Sequence, residues 1–295
     1  MLVATIGNFD GVHLGHQALV AAARRAAGAG GRVVAVTFEP LPAAVLRPAE
    51  APARLTDAAR REELLLAAGC DEVLALDPRS GLLAEGPEEF IARIRAQLPF
   101  EAIAEGADFR FGRGRSGDVG TLRTLGERSG FATVRVEEVA AILRDRSQVA
   151  PRSSTIRWLL ELGRVEDAAL LLGRPHAIRG AVERGAQRGR QLGFPTANIA
   201  APGQQLPGDG VYAGEALVAG RRFPAAISVG DNPTFPGSAR TCEAHLLGFP
   251  GAIDDYGWPI ELRFTRFLRE QWRFRGVEAL VEQLRADIAR CAALA

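Results

Sequence analysis

The sequence predicts two domains of different fold class: a doubly wound parallel α/β domain in residues 1–172, then a small antiparallel β-barrel with a C-terminal helix in residues 173–295. In the first part, apolar β-type runs alternate with helix-like stretches, which is the pattern of a parallel sheet covered on both faces. From about Gly173, short β-type runs are separated by glycines and prolines, which is typical of a small barrel. The last stretch, about Val277–Ala292, has the spacing of an amphipathic helix.

The α/β part alternates strands with helices from its first residues. The apolar runs predicted as strands are Leu2–Ile6, Arg32–Phe38, Glu72–Leu76, Glu101–Glu105 and Phe131–Val136. The stretches predicted as helices are Gln17–Ala27, Asp57–Ala68, Pro87–Leu98, about Leu122–Ser129, Thr155–Leu162 and Val165–Leu172. An Asp or a Pro near a helix start is a usual N-terminal signal. In such a sheet, ligands bind at the carboxyl ends of the strands.

The barrel part contains shorter β-type runs and one helix. The predicted strands are Ala177–Arg184, Gly210–Val218, Arg222–Val229, Thr241–Gly248 and Ile260–Phe267. In the final helix, Leu280, Leu284 and Ile288 share one face, which we expect to pack against its own domain.

Length and composition exclude several classes of protein. A chain of 295 residues with 47% hydrophobic residues accommodates two globular domains. Its net charge of +1 gives no general attraction to nucleic acid or to a membrane, so neither is an expected partner. All 36 basic residues are arginine, which excludes the lysine-containing P-loop. The cysteines are few and widely spaced, and the sequence has neither a signal peptide nor an apolar run of ~20 residues, so we expect a soluble cytoplasmic protein. Its oligomeric state is open.

The segment from Gly7 to Gln17 carries the clearest functional signal. It joins the first predicted strand to the first predicted helix and contains two imidazoles three residues apart, His13 and His16. Backbone N–H groups and the dipole at a helix N-terminus attract a polyphosphate, and glycines let the backbone approach it closely. Besides the histidines, the candidate ATP- and phosphate-binding residues of this segment are Gly7, Phe9, Asp10, Gly11 and Gly15.

Two other interpretations of the histidine pair stand beside this one. A His-x-x-His pair can be a packing or surface feature, and neutral imidazole is a common zinc ligand. Zinc is disfavoured because no Cys or further His lies nearby in the sequence. The segment resembles the His-x-Gly-His signature of nucleotidylyltransferases. The resemblance implies that both histidines hold the phosphates of ATP and stabilise charge as pyrophosphate leaves.

A second polar segment, residues 188–198, lies in the barrel part. Thr196 and Asn198 alternate along an extended chain, so their side chains share one face. A hydroxyl and an amide oxygen there can bind Mg²⁺, whose other ligands would be phosphate oxygens and water. The alternative is a turn in which both side chains bond to the local backbone.

Ordered motifs in the barrel part resemble riboflavin kinase. They are Gly-Phe-Pro-Thr-Ala-Asn at 193–198, Gly-Val-Tyr-Ala-Gly at 210–214, Pro-Thr-Phe at 233–235 and Glu-Ala-His-Leu-Leu at 243–247. Together with the His-x-Gly-His segment, they resemble the bifunctional bacterial riboflavin kinase/FAD synthetase family over nearly the whole chain. The resemblance implies a Rossmann-like FMN adenylyltransferase domain followed by a riboflavin kinase domain. The implied reactions are riboflavin plus ATP to FMN plus ADP, and FMN plus ATP to FAD plus diphosphate, with Mg²⁺ accompanying ATP.

The same resemblance implies roles for residues of the barrel part. Glu243 matches the family's catalytic base, which accepts the proton of the riboflavin 5′-hydroxyl. Thr196 and Asn198 match the family's Mg-ATP ligands. The other expected contacts are with flavin at Tyr212 and with ATP at Gly193, while phosphate contact or plain solvation is open for Arg188 and Arg190.

Two segments of the first part also match the family. The sequence Gly-Ala-Asp-Phe-Arg-Phe-Gly at 106–112 implies a loop on the flavin or adenine side of the cleft, where a flat ring can stack on an aromatic face. The expected lining residues are Asp108, Phe109 and Phe111, with two core phenylalanines and a solvated Asp and Arg as the alternative. The sequence Ser-Ser-Thr-Ile-Arg at 153–157 resembles a loop that approaches the triphosphate, with phosphate contacts expected at Ser154 and Arg157.

Three positions depart from the family pattern. Leu41 stands where the family usually has His, Arg152 where it has Ser, and Gly248 where it commonly has Asp. Leu41 and the Ser-Ser-Thr-Ile-Arg motif, which is one residue shorter than the family's, support a rival function, a riboflavin kinase whose adenylyltransferase domain is weak or inactive. The change at Gly248 is expected to matter less, because Glu243 is retained. A further rival is a non-catalytic flavin-sensing regulator. Glu243 argues against the regulator because binding alone requires no base.

Overall fold

The computed structural model describes residues 1–185, 187–231, 240–251 and 255–294, and these form two compact units. The sheet unit comprises Met1–Pro52, Asp57–Ala141 and Gln148–Arg152, and the barrel unit comprises Ala53–Thr56, Ile142–Ser147 and Ser153–Ala295. The contacts therefore divide the chain at other positions than the boundary predicted between residues 172 and 173. Helices Ser153–Glu161 and Val165–Leu172 belong to the barrel unit, because the second packs against the first and against barrel strands.

The sheet unit is built on a parallel sheet with strand order β3-β2-β1-β4-β5. Its strands are β1 Leu2–Ile6, β2 Arg32–Phe38, β3 Glu72–Leu76, β4 Ala102–Gly106 and β5 Ala132–Val136, all within one residue of the predicted bounds. The strand order reverses between β1 and β4, and this is where ligands bind in sheets of this class.

Helices cover both faces of this sheet. They are α1 Leu14–Ala27, α2 Pro42–Leu46, α3 Ala58–Ala67, α4 Pro87–Gln97 and α5 Val119–Ser129, with 3₁₀ turns at Pro48–Glu50, Pro78–Ser80, Leu82–Ala84 and Arg113–Arg115. One core cluster joins the sheet to α1, and another joins it to α4 and α5. The doubly wound parallel fold is therefore confirmed. Two short strands follow, β6 Ala141–Ile142 and β7 Gln148–Val149.

The barrel unit contains a closed barrel with strand order β10-β11-β12-β9-β8-β13. Its strands are β8 His176–Glu183, β9 Ala197–Ala200, β10 Gly210–Val218, β11 Arg221–Gly230, β12 Thr241–Leu246 and β13 Pro259–Arg269. The predicted barrel is confirmed, and so are its predicted strands, although β12 ends two residues earlier than expected, before Gly248 at a φ of 70°. Strand β9 was not predicted, and it closes the barrel between β12 and β8.

Helices outside the barrel complete this unit: α6 Ser153–Glu161, α7 Val165–Leu172, the short α8 Arg188–Gln191 and the C-terminal α9 Val277–Ala293. Helix α9 packs on β10 and β11. A largely buried ion pair attaches it to β13, with Arg269 Nη2 lying 2.7 Å from Asp287 Oδ2. The predicted apolar face of α9 forms part of a cavity wall, at Leu280, Leu284 and Ile288.

Candidate active sites

The two predicted histidines lie together at the end of β1, where the chain enters α1. His13 is the N-cap residue of α1, and His16 lies in the first turn. Their rings are stacked, with centroids 3.6 Å apart and an interplanar angle of 20°. The first turn of α1 also leaves backbone N–H groups without helical acceptors, which is a favourable setting for an anion. The sequence therefore placed both imidazoles correctly at a helix N-terminus.

Close packing explains the small residues of this loop. A Cβ on Gly15 would lie 3.2 Å from the His13 ring, and a Cβ on Gly7 would lie 3.3 Å from the Phe9 ring. Gly11 has a φ of 85°, a left-handed conformation that favours glycine. These glycines let the loop fold tightly around the imidazoles.

Two of the predicted ATP-binding residues have buried side chains. Phe9 has no exposed surface and presents its edge to His16 at a centroid distance of 5.2 Å. Asp10 is also buried. Phe9 therefore packs against His16 from the protein interior, and an ATP contact at these two positions would involve the backbone.

Arg61, which the sequence did not single out, holds this loop in place. It projects from α3, is 3% exposed, and donates hydrogen bonds to the carbonyl oxygens of Asn8 and Phe38 at 3.2 and 3.0 Å. Its guanidinium also lies 3.0 Å from Glu39 Oε2. Arg61 therefore ties the loop after β1 to the loop after β2. Leu41, where the family usually has His, is buried at the start of α2.

The loop after β4 carries the predicted aromatic residues. Asp108 is exposed, and Arg152 Nη1 lies 3.5 Å from its carboxylate. The half-buried Phe109 ring stacks on Phe111 at a centroid distance of 5.2 Å. Phe111 itself is 5% exposed, and its ring packs against Phe90 in the core. The expected flavin contact at Phe111 is therefore corrected: its side chain is a core residue that supports Phe109. Direct stacking on Phe109 stays a prediction.

In the barrel unit, β12 presents alternating side chains to a cavity of about 840 Å³. Thr241, Glu243 and His245 are half-buried, while Cys242 is buried between them. Burial raises the pKa of the Cys242 thiol to about 12, so this cysteine is a packing residue. The period of two along the strand therefore directs the polar side chains toward the cavity.

The carboxylate of Glu243 lies among the predicted metal ligands. Thr196 Oγ1 donates to Glu243 Oε2 at 3.1 Å, and Thr241 Oγ1 donates to Oε1 at 3.4 Å. Asn198 lies directly opposite Glu243 in the β9–β12 register. All of these side chains line the same cavity.

Three glycines, Gly185, Gly189 and Gly193, lie in the chain that precedes these polar residues and allow it to pack closely. A Cβ on Gly185 would lie 2.1 Å from Asn198 Nδ2, and one on Gly189 would lie 2.5 Å from the Phe194 carbonyl oxygen. Gly193 has a φ of 85° at the turn after α8. Of the other candidates, Arg190 is exposed, whereas the Arg188 side chain and the predicted motif at 233–235 lie outside the described residues.

Tyr212 does not line the flavin side of the cavity, and this expectation is corrected. Its side chain has no exposed surface, its hydroxyl donates to the Gly208 carbonyl at 2.5 Å, and its ring meets Phe264 and Phe267 edge-on. Burial also raises the pKa of its hydroxyl. The tyrosine therefore holds the 208–212 turn to the barrel.

The remaining predicted phosphate contacts lie on α6. Ser154 is in its first turn, and Arg157 Nε donates to the Ala53 carbonyl at 2.7 Å. Both residues belong to the barrel unit, although the sequence assigned them to the first domain. Their contact with a triphosphate stays a prediction.

In the described ranges, no helix is long and apolar enough to cross a membrane. Among the same residues, no group of three or more His, Cys, Asp or Glu side chains is placed to hold a metal ion.

The fold and the two clusters define the class of protein. In the sheet unit, a helix N-terminus beside two stacked imidazoles is a favourable setting for an anion, and in the barrel unit the Glu243 carboxylate with its hydroxyl partners faces a cavity. The chain is therefore a two-domain protein with a separate candidate site in each unit.

Comparison with known proteins narrows this class. The riboflavin kinase family matches residues 172–295, and the FAD synthetase family matches residues 1–148. The bifunctional riboflavin kinase/FMN adenylyltransferase of Pseudomonas fluorescens is 38% identical, over 99% of this chain and 93% of that protein. The Escherichia coli K12 protein of the same name is 36% identical, over 98% of this chain and 90% of that protein. A solved structure named as a macrolide-efflux protein from Streptococcus pneumoniae is 30% identical, with a TM-score of 0.84, covering 97% of this chain and 92% of that one.

This chain belongs to the bifunctional riboflavin kinase/FMN adenylyltransferase family.

Proposed function

We propose that the chain makes both flavin cofactors, with one reaction in each unit. The barrel unit phosphorylates riboflavin with ATP to give FMN and ADP. The sheet unit joins FMN to the adenylyl group of ATP and releases diphosphate. Membership in the family supports both activities, and the separate polar clusters of the two units support their assignment.

The observation that carries the kinase assignment is the position of Glu243. Its carboxylate faces the cavity and is held by the Thr196 and Thr241 hydroxyls, directly opposite Asn198. A primary alcohol is a weak nucleophile until its proton has an acceptor. In the proposed reaction, Glu243 accepts the proton of the riboflavin 5′-hydroxyl as its oxygen bonds to the γ-phosphorus and the bond to the ADP oxygen breaks.

The ligands available for Mg²⁺ fit a magnesium–nucleotide complex. The Thr196 hydroxyl and the Asn198 amide oxygen are hard oxygen donors, and the remaining ligands would come from phosphate and water. The absence of a side chain at Gly185 lets the Asn198 amide pack against the backbone there, since a Cβ would lie 2.1 Å from Asn198 Nδ2. When bound, Mg²⁺ neutralises charge on the phosphates. The chain itself positions the nucleotide and supplies the base.

In the sheet unit, the histidines act by electrostatic stabilisation. The stacked rings of His13 and His16 lie at the positive end of α1, where they would meet the triphosphate. A phosphate oxygen of FMN attacks the α-phosphorus of ATP, and the bond to diphosphate breaks. No nucleophile from the protein is needed, so the imidazoles and the helix N-terminus stabilise the developing charge.

The buried side chain of Leu41 favours a second candidate function. Leu41 adds no charge to the loop after β2. Adenylyl transfer by the sheet unit would therefore be slower than the kinase reaction of the barrel unit, or absent. The family's signature pair of histidines favours the bifunctional reading.

One incubation tests these alternatives. The purified chain is supplied with riboflavin, ATP and Mg²⁺, and the three flavins are separated by chromatography. The bifunctional enzyme produces FMN and then FAD. FMN alone would support the kinase with an inactive second unit, and neither product would support a non-catalytic flavin binder. A parallel incubation with excess chelator should abolish both products.

We place these reactions in the cytoplasm. The described cysteines, Cys70, Cys242 and Cys291, are all buried as free thiols, which fits a reducing compartment.

A further inference from the structure

Glu105 is a buried carboxyl group that neither proposed reaction uses. It lies at the carboxyl end of β4 and is 1% exposed. Its Oε1 accepts a hydrogen bond from the backbone N–H of Ile6 at 2.5 Å and lies 3.5 Å from the Thr5 hydroxyl. A buried carboxyl group is costly unless its hydrogen bonds are satisfied, so this placement calls for an explanation.

The contact bridges the point where β1 and β4 separate. In the described chain their pairing runs through Val3–Ala102 and Ala4–Ile103, whereas β1 pairs with β2 as far as Ile6. Beyond this, the N–H of Ile6 donates to the side chain of Glu105 where a regular ladder would offer a backbone carbonyl. This is also the position at which the strand order reverses.

Both loops of the proposed FAD site begin at this junction. Gly7, the first residue of the histidine loop, follows Ile6 and donates to the Val36 carbonyl at 3.0 Å. Gly106, the last residue of β4, follows Glu105 and leads into the Asp108 loop, and its carbonyl accepts from the N–H of Phe109 at 3.1 Å. One side chain therefore connects the starting points of the two loops.

We propose that Glu105 is a positioning residue for adenylyl transfer, which fixes the spacing between the histidine loop and the Asp108 loop through its bond to Ile6. The inference rests on the proposed FAD synthesis in this unit. Glu105 bonds to the backbone and not to the substrate. Its proposed function therefore requires only an acceptor oxygen at the distance that a glutamate side chain provides.

The pKa of Glu105 indicates that its function depends on a hydrogen-bond acceptor and not on a negative charge. Burial raises the pKa of Glu105 well above its usual value, and the nearby charge of Asp108 raises it further. A neutral acceptor of the same length should therefore serve as well.

Two variants separate the effect of side-chain length from the effect of charge. Glu105→Gln keeps the length and an acceptor oxygen but removes the carboxylate. Glu105→Asp keeps the carboxylate but withdraws it by one methylene, which leaves the buried N–H of Ile6 without its acceptor. We expect kcat/KM for FAD formation from FMN and ATP to stay within about twofold for Gln and to fall about tenfold for Asp.

Two controls accompany the pair. FMN formation by the barrel unit of the same molecules measures the amount of folded barrel unit, and a urea unfolding curve of each variant measures the stability of the sheet unit. Ile103→Val on the same strand removes one buried methyl group without touching the junction, and it should leave FAD formation within about twofold of the wild type.

The outcomes are distinct. If wild type makes FAD but the Gln variant loses as much activity as the Asp variant, or the Asp variant loses none, the inference is wrong. If wild type makes no FAD, the proposed function fails and the inference fails with it. If Asp lowers the FMN rate to the same degree, the effect is general unfolding, and this too overturns the inference.

Discussion

Replacing Gly15 by Ala is expected to impair FAD formation without destabilising the protein. Gly15 lies in the first turn of α1, next to the ring of His13. Alanine is the better helix former by about 1 kcal/mol, so the helix itself gains from the change. The new methyl group, however, would press directly on a proposed catalytic imidazole.

The distances set the size of the effect. The new Cβ would lie 3.2 Å from the Cε1 and Nδ1 atoms of His13 and 3.3 Å from the Pro151 carbonyl oxygen. Carbon contacts normally relax to about 3.5–4.0 Å, so the ring must move by roughly 0.3–0.8 Å. Because the His13 ring is stacked on the His16 ring, displacing the first also displaces the second. Since a misplacement of about 1 Å can cost ~10²-fold in rate, we expect kcat/KM to fall about tenfold.

The assay compares Gly15→Ala with a matched variant. Gly120 occupies the same position in α5, and a Cβ there would meet only the flexible carboxylate of Asp118 at 3.2 Å. FAD formation and urea unfolding are measured for both. Gly120→Ala should leave FAD formation unchanged. The reasoning is refuted if Gly15→Ala keeps full activity, or if both variants lose activity equally.

Two further predictions concern the barrel unit. Tyr212→Phe removes the hydrogen bond to the Gly208 carbonyl and should lower the free energy of unfolding by about 1 kcal/mol, while the KM for riboflavin stays unchanged; a raised KM without lost stability would restore the flavin-binding role. His176 is buried with its pKa lowered to about 4, since burial disfavours its charged form, and Nε2 donates to the Gln205 carbonyl. In the unfolded chain His176 binds a proton near pH 6.5, and in the folded chain it does so only near pH 4. The contribution of His176 to the free energy of unfolding is therefore fully present above about pH 6.5 and is lost as the pH falls toward 4, by up to about 3 kcal/mol. His176→Gln should flatten this dependence in urea titrations at pH 7.5 and 4.5, and an unchanged slope would contradict the assignment.

The strands of the sheet unit could be predicted closely because their sequences carry strong local signals. Runs such as Arg32–Phe38 are apolar and β-branched, and they are buried on both faces of a parallel sheet. The start of α1 was placed three residues late, because the cap is His13 and not one of the usual capping residues.

Strand β9 was missed for a related reason. Its sequence, Ala-Asn-Ile-Ala at 197–200, has little intrinsic preference for a strand. Pairing with β12 and β8 holds it extended, and these partners are distant in the sequence.

Buried polar residues were the least predictable part of the sites. Arg61 lies in a helix among other charged residues, and Glu105 ends an apolar strand, so neither pattern reveals that the side chain is buried. Their burial follows from loops that meet only in the folded chain. Tyr212 was misassigned for the opposite reason, since a family motif does not show which of its side chains face inward.

The central claim is that one chain contains two separable sites, and His16→Ala and Glu243→Gln test it most directly. Each variant is incubated with ATP and Mg²⁺, once with riboflavin and once with FMN, and the flavins are separated by chromatography. We expect His16→Ala to form FMN at the wild-type rate and no FAD. We expect Glu243→Gln to convert supplied FMN to FAD normally while FMN formation falls ~10²-fold or more. Loss of both reactions in either variant, or unchanged FMN formation with Glu243→Gln, would contradict the account.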